Sequence, residues 1–376
     1  MPGRPPAPPM DLKPLTTVRF FAALWVVLYH YWPDLKGAGA PPALIANGQL
    51  GVELFFVLSG FILAHVYLDG FGSSRFSYRG FLWARLARIY PLHLAALAAV
   101  GLMGLAALLL GQKTDHTVLY WPGLPANLLL VNAWGVSADA GWNHPAWSIS
   151  AEWFAYLAFP GFAYVAWRLR HRPLLALALA GALLAAIYPL FQRLAGFPLT
   201  EATIAWGALR IVPCFAYGCA MNLLWRAGAA KSRLAARAMT VAALIACLAL
   251  AAASGPPAAV VAAFGALILG LASLSSSGSR WLAHPTGVYL GEVSFAMYMT
   301  AIPWKILVTA GADKVLHLGA DGLPWPLWAL YLAGLIPVAA LAHHLVERPA
   351  RTLMRRWAEG RFQGAKAPSD PMLTQA

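Results

Sequence analysis

Ten apolar stretches, each about the length of a bilayer-crossing helix, take up most of this chain: 14–32, 50–69, 89–111, 145–167, 173–190, 203–225, 238–254, 257–274, 288–309 and 325–346. A hydrocarbon core about 30 Å thick is crossed by roughly 20 helical residues. Backbone polar groups find no water there, so the only open form such segments can take is the α-helix. Composition agrees: 60% of the residues are hydrophobic and 11% are charged, against about 25% charged in an average soluble domain. The fold expected is all-α, a polytopic membrane protein of about ten spans. The division between 238–254 and 257–274 rests on Ser254-Gly255-Pro256-Pro257, a strong turn signal.

Charge placement gives the spans a direction. Of the 27 lysines and arginines, Arg19, Arg210 and Lys305 fall inside spans, and Lys36, Lys113, Arg193 and Lys314 fall in one set of alternate loops. The other twenty fall in the opposite set and at the two ends. Basic residues collect in cytoplasmic loops, so both termini are expected to be cytoplasmic. The same bias explains the net charge of +13 without nucleic acid, for which no motif is present. Lys13, the run after it and Ala38-Gly39-Ala40 imitate a secretory signal, but Arg19 inside the apolar run argues for a permanent first span. Cys214, Cys219 and Cys247 match neither a metal-ligand spacing nor a disulfide framework, so no metal is expected. Residues 1–11 and 358–376 are rich in proline or small polar residues and are expected to be disordered tails around a membrane domain at 12–357.

Ionisable groups within spans are costly to bury and mark candidate sites. Arg19 and His30 lie eleven residues apart, which on an α-helix is about 20° from three whole turns and about 16 Å along the axis. They therefore share one stripe, with Arg19 toward the cytoplasm and His30 at the outer end. Glu53 opens the second span on the same outer side. A His30–Glu53 pair would suit general-base catalysis on a hydroxyl, the carboxylate holding the imidazole tautomer; a hydrated interfacial histidine is the plainer alternative. Arg85 and Arg88 precede the third span on the cytoplasmic side. With Arg19 they would hold a phosphate-bearing donor, although arginines at that interface need no ligand. Glu152, two turns into the fourth span, requires a partner, and Arg210 and His30 are nearest by depth; a structural ion pair is the alternative. Trp147 and the tryptophans of the preceding outer loop would stack on a sugar ring or form an interfacial belt. Asn127–Val131 in that loop reads as a short interfacial or re-entrant piece, and His343 and His344 read as interfacial.

These residues resemble the integral-membrane acyltransferase 3 family over roughly residues 12–351. Arg19 and His30 fit its R-x10-H signature, and Gly51-Val52-Glu53-Leu54-Phe55-Phe56-Val57-Leu58-Ser59-Gly60-Phe61 is similar to its G-x-[DE]-x-F-F-x-L-S-G-F block. Arg85-Leu86-Ala87-Arg88-Ile89-Tyr90-Pro91 is similar to its R-x-x-R-I-x-P stretch. Trp147-Ser148-Ile149-Ser150-Ala151-Glu152, followed by Tyr156, is similar to its W-S-L-S-x-E segment. Arg210, Pro213, Phe215 and Gly218, then Leu290-Gly291 with Ser294-Phe295, and finally Val346-Glu347-Arg348-Pro349 resemble its later motifs in the same order.

The resemblance implies an O-acyltransferase in a bacterial inner membrane. Its co-substrate would be acyl-coenzyme A, foremost acetyl-coenzyme A, and its acceptor the hydroxyl of an outward-facing or membrane-associated glycan or glycolipid, as in polysaccharide modification. It implies catalytic roles for His30 and Glu53, donor binding by Arg19, Arg85 and Arg88, and substrate binding by Trp147, Ser148, Glu152 and Arg210. The chain departs from the pattern in three places. Thr300-Ala301-Ile302-Pro303 stands where relatives often have a histidine before a proline, Cys214 replaces a common acidic residue, and the sequence carries no C-terminal hydrolase-like domain. A transporter or flippase whose charges line a path, or an inactive scaffold of the same family, are the competing readings. Against transport, the sequence shows no paired inverted halves.

Overall fold

The computed structural model describes residues 12–111, 118–275, 283–318, 322–359 and 361. The expected disordered tails lie outside these, except that Ala358 and Glu359 belong to the last helix and Arg361 follows it, its N–H on Ala358 O at 3.0 Å. Lys113 and Arg280 of the loop-charge argument also lie outside. The described chain is all-α: α1 Lys13–Tyr31, α2 Gly51–Gly72, α3 Tyr78–Leu109, α4 Ala146–Leu157, α5 Phe159–Arg168, α6 Pro173–Ala195, α7 Gly207–Arg226, α8 Arg233–Ala252, α9 Pro257–Ser275, α10 Pro285–Leu316, α11 Trp325–Ala342 and α12 Arg348–Glu359. Eight helical segments among the described residues are long and apolar enough to cross a membrane, and the chain is a polytopic membrane protein. α1 and the α4–α5 pair pack against these helices.

Two expected boundaries shift. Arg85 and Arg88 lie within α3, whose start is set one residue earlier than Tyr78 by Ser77, whose hydroxyl accepts from Gly80 N at 3.2 Å. The span expected over 145–167 is two helices meeting at Ala158. Pro160 lacks the N–H that would bond Tyr156 and crowds that carbonyl, so the first helix ends there. The turn at 254–257 stands as expected between α8 and α9, with Gly255 N on Leu250 O at 2.8 Å.

The helices sort by burial. The windows of α2, α7 and α9 are 72–78% buried, whereas those of α3, α6, α8 and the α11–α12 segment are 22–33% buried. The first group forms the centre and the second faces outward. At the centre, α2 and α7 run parallel with their backbones close together. A methyl group on Gly60 would overlap the Phe215 carbonyl, and one on Gly218 would overlap the Val57 carbonyl. Small residues permit this approach, and in a membrane it is close packing that holds helices together. The parallel register recurs at both ends: Glu53 meets Arg210, and Asp69 meets Arg226, each across 157 residues. α10 packs along α1 in the same manner, with Gly291 against the Thr16 carbonyl.

Candidate active site

Toward the N-terminal end of α1, the helices α1, α2, α3, α4 and α10 enclose a slot of about 140 Å³. Arg19, Arg85 and Arg88 line it, and Ser59, Ser148, Glu152, Tyr156 and Tyr298 line it further along. α1 is unbroken from Lys13 to Tyr31, so the stripe carrying Arg19 and His30 exists as one rigid edge. Arg85 is 7% exposed and points its guanidinium at the Tyr67 hydroxyl, 3.5 Å away. Arg88 is ion-paired with Glu347 and lies over the Phe295 ring at 4.9 Å. Glu347 is itself buried. It also meets His343 Nδ1 at 2.9 Å and Arg351 at 3.7 Å. His343–Glu347 forms a π-helical turn joining α11 to α12. The wider turn brings both side chains inward, a device often found at functional sites. His343 is therefore buried in this network, not interfacial as expected. His344, by contrast, is at the surface, 3.1 Å from the Tyr289 hydroxyl.

The carboxylates are partnered differently from the expectation. Glu53 is fully buried and accepts from Arg210 Nε at 2.6 Å. It does not pair with His30. The reason is the α2–α7 register, which sets the first turns of these two helices opposite each other. Arg210 also donates to Ala202 O at 3.1 Å and sits 4.7 Å over the Trp147 ring. The ring face on which a sugar would stack is thus covered, and Trp147 is 4% exposed. With Arg210 engaged, Glu152 pairs with neither expected partner. It accepts from Ser59 Oγ at 3.0 Å inside the slot, beside Tyr156. Ser148 donates to Pro145 O at 3.0 Å, and the Tyr298 hydroxyl reaches the same carbonyl at 3.4 Å.

Pro145 links the slot to the C-terminal end of α1. The residue before it, His144, places its ring edge-on to His30 with 6.0 Å between centroids. His144 lies in the loop ahead of α4 and is fixed on either side: Asn143 Nδ2 donates to Met299 O at 3.0 Å, and Pro145 receives the two hydroxyls above. Burial lowers its imidazole below the ordinary value, with Asp139 opposing the shift. His30 is held through its backbone. Lys305 Nζ caps the His30 carbonyl at 3.0 Å, and Trp328 Nε1 caps that of Tyr31 at 2.7 Å. These are orphan carbonyls of a helix C-terminus, the groups that most need such partners. Asp34 holds Lys305 at 2.9 Å. Lys305 lies just past the Thr300–Pro303 departure and one turn from Ala301, whose carbonyl accepts from the Tyr31 hydroxyl at 2.7 Å.

His144, Lys305 and the Glu347 network are the functional candidates that the sequence reading passed over. Lys305 was visible as a charge within a span; His144 had only its place beside the Trp147–Glu152 motif. No cluster of metal-ligating side chains occurs among the described residues.

Residues 14–344 match the family of the acyltransferase domain, acyltransferase 3. The chain is 31% identical over 97% of its own length, and 97% of the relative's, to the acyltransferase MdmB of Streptomyces mycarofaciens. It is also 37% identical over 29% of its length to protein 2 in the picA locus of Rhizobium radiobacter, covering 53% of that protein. No solved structure matches it. The motif order, the all-α fold and both the domain and full-length matches agree, and the chain belongs to the acyltransferase 3 family: it is a multi-pass membrane acyltransferase.

Proposed function

We propose that the protein moves an acyl group, foremost acetyl, from cytoplasmic acyl-coenzyme A to a hydroxyl of an outward-facing or membrane-associated glycan or glycolipid in a bacterial inner membrane. The observation that carries this reading is the slot, where three arginines on α1 and α3 open into a narrow space, and Arg19 stands on the same α1 stripe as His30. Its 140 Å³ is below the 300–1,000 Å³ of a pocket that encloses a drug-sized ligand. It suits a slender arm such as pantetheine, leaving the nucleotide phosphates at the arginines. Charge-assisted bonds from Arg19, Arg85 and Arg88 would hold them. The distance of about 16 Å from Arg19 to His30 along the axis is within reach of an extended arm. The topology that goes with this reading has ten spans and both termini in the cytoplasm.

In the chemical step, the acceptor oxygen attacks the thioester carbonyl while His30 takes the hydroxyl proton. Collapse of the tetrahedral intermediate forms the ester and breaks the C–S bond, and the departing thiolate recovers the proton from the imidazolium. Glu53 contributes by fixing Arg210 and Trp147 rather than by touching His30. Ser148 and Glu152, which line the slot, would contact the donor arm.

The donor is tested by a thermal-shift scan of the detergent-solubilised protein. Acetyl-coenzyme A is expected to raise the melting temperature, and Arg88→Ala to abolish that rise while leaving the ligand-free protein folded. Equal protection of wild type and Arg88→Ala would remove the slot as the donor site. Absence of protection in wild type would favour a transport role.

A further inference from the structure

A second cavity, of about 420 Å³ and open to the surface, lies between the loop ahead of α4 and the loop ahead of α7. Asp139, His144, Glu201 and Thr203 line it, together with the backbone of 202–205. His144 is the one residue belonging both to this wall and to the contact with His30. It therefore separates the open cavity from the outer end of α1. On the opposite side of the same loop, the Pro145 carbonyl accepts from Ser148 and Tyr298, which line the arginine slot at the end away from the arginines. The His144–Pro145 segment thus touches two slot residues on one side and both His30 and the open cavity on the other.

We propose that this cavity is where the acceptor docks, and that His144 is a second catalytic residue that contacts the acceptor hydroxyl as it is presented to His30. The proposal rests on the acyl-transfer reading and assigns that reaction its missing acceptor side. Two imidazoles inclined at 67° can grip one hydroxyl: His30 receives its proton, and the His144 N–H donates to the acceptor oxygen and sets its line of attack. Such positioning is where a large part of a catalytic advantage arises. No bond is made to His144 and no proton is left on it, so the balance of the transfer step is unchanged.

The wall also limits which acceptors fit. In a chain of net charge +13, the cavity's lining includes two carboxylates and no lysine or arginine. A phosphate- or carboxylate-bearing acceptor would meet repulsion there, while a neutral polyol or an ammonium-bearing one would not. The class favoured is a hydroxyl compound that is uncharged or carries an amine.

The three native cysteines are buried, so single cysteines introduced at the cavity report on it cleanly. His144→Cys and Thr203→Cys are reacted in right-side-out membrane vesicles with impermeant methanethiosulfonates, one bearing a quaternary ammonium and one a sulfonate. Both positions are expected to label from the outside, with the ammonium reagent favoured beyond its intrinsic reactivity and that preference lost in Asp139→Asn/Glu201→Gln. Labelled Thr203→Cys is expected to stop incorporation of acetyl from [14C]acetyl-coenzyme A into membrane material while keeping its thermal protection by acetyl-coenzyme A. His144→Ala should lower incorporation about tenfold or more without changing the KM for acetyl-coenzyme A, and His144→Gln should recover part of it. Labelling only from the inside, or undiminished incorporation after labelling at 203, overturns the proposal. Accessibility requires no turnover, so an error in the donor assignment would show in the thermal shift and not here.

Discussion

The two ends of α1 solve opposite problems. At the inner end, the half-buried Arg88 and the buried Arg85 are charges held by a dense set of partners, with Glu347 clamping Arg88 and Tyr67 beneath Arg85. At the outer end, His30 and His144 face each other as imidazoles beside an open cavity, and the local charge, Lys305, is turned onto a backbone carbonyl and Asp34. A site that must attract phosphates requires permanent cations, and those are tolerable in a membrane only when they are paired. A site that must take up and return one proton requires a group that can exist without charge. On the proposed reading, the difference would suit the arginine end to donor binding and the histidine end to chemistry, with one rigid helix fixing their separation.

Perturbations can break this contrast at either end. The largest effect is expected from Glu347→Ala, which leaves Arg88 without its carboxylate. Loss of one partner of a buried pair costs about 3–5 kcal/mol, so the melting temperature should fall steeply and protection by acetyl-coenzyme A should vanish with it. At the outer end, Lys305→Met uncaps α1 and should cost about 1.5–3 kcal/mol, the worth of a hydrogen bond to a charged group. Here acyl transfer should drop while acetyl-coenzyme A still protects. If Lys305→Met removed donor protection too, the separation of the two ends would be wrong.

A pH series sharpens the outer end further. Burial lowers the His144 pKa in the folded protein, so the unfolded chain binds its proton more readily. Stability from this group is complete above the unfolded value near 6.5 and is lost as pH falls below it toward the folded value. The melting temperature of wild type should therefore fall between pH 7 and pH 5 by more than that of His144→Asn. Smallest of all is Asp69→Asn. Its pair with Arg226 repeats the register of Glu53–Arg210, but Asp69 is 67% exposed, and such pairs contribute about 0–1 kcal/mol. A melting temperature close to that of wild type is expected.

Much of this was legible in the sequence, because span length, loop charge and an eleven-residue interval are local properties. The stripe of Arg19 and His30 required only helical geometry, and the turn at Ser254–Pro257 only its residue types. Neighbour relations were not legible. α2 is apolar around its whole circumference, so no period marked which face would meet α7, and Glu53 was assigned to the nearest histidine by depth. The Gly60 and Gly218 contacts decide that register, yet each reads in sequence as an ordinary glycine. His144 escaped for a related reason: its loop lies far from His30 in the chain, and only the docking of that loop on α10, through Asn143 on Met299 O and Tyr298 on Pro145 O, joins them. The arginine slot was anticipated because three cations on one side need only a topology. Its counter-ion Glu347 required the π-helical turn.

The central claim is that donor binding and acyl transfer reside at opposite ends of α1. It is tested most directly by purified His30→Ala, assayed for protection by acetyl-coenzyme A and for acyl transfer in one preparation. Full protection with transfer reduced about 10²–10⁴-fold, the range of general acid–base catalysis, is the predicted result. Transfer at the wild-type rate by the folded variant would contradict it.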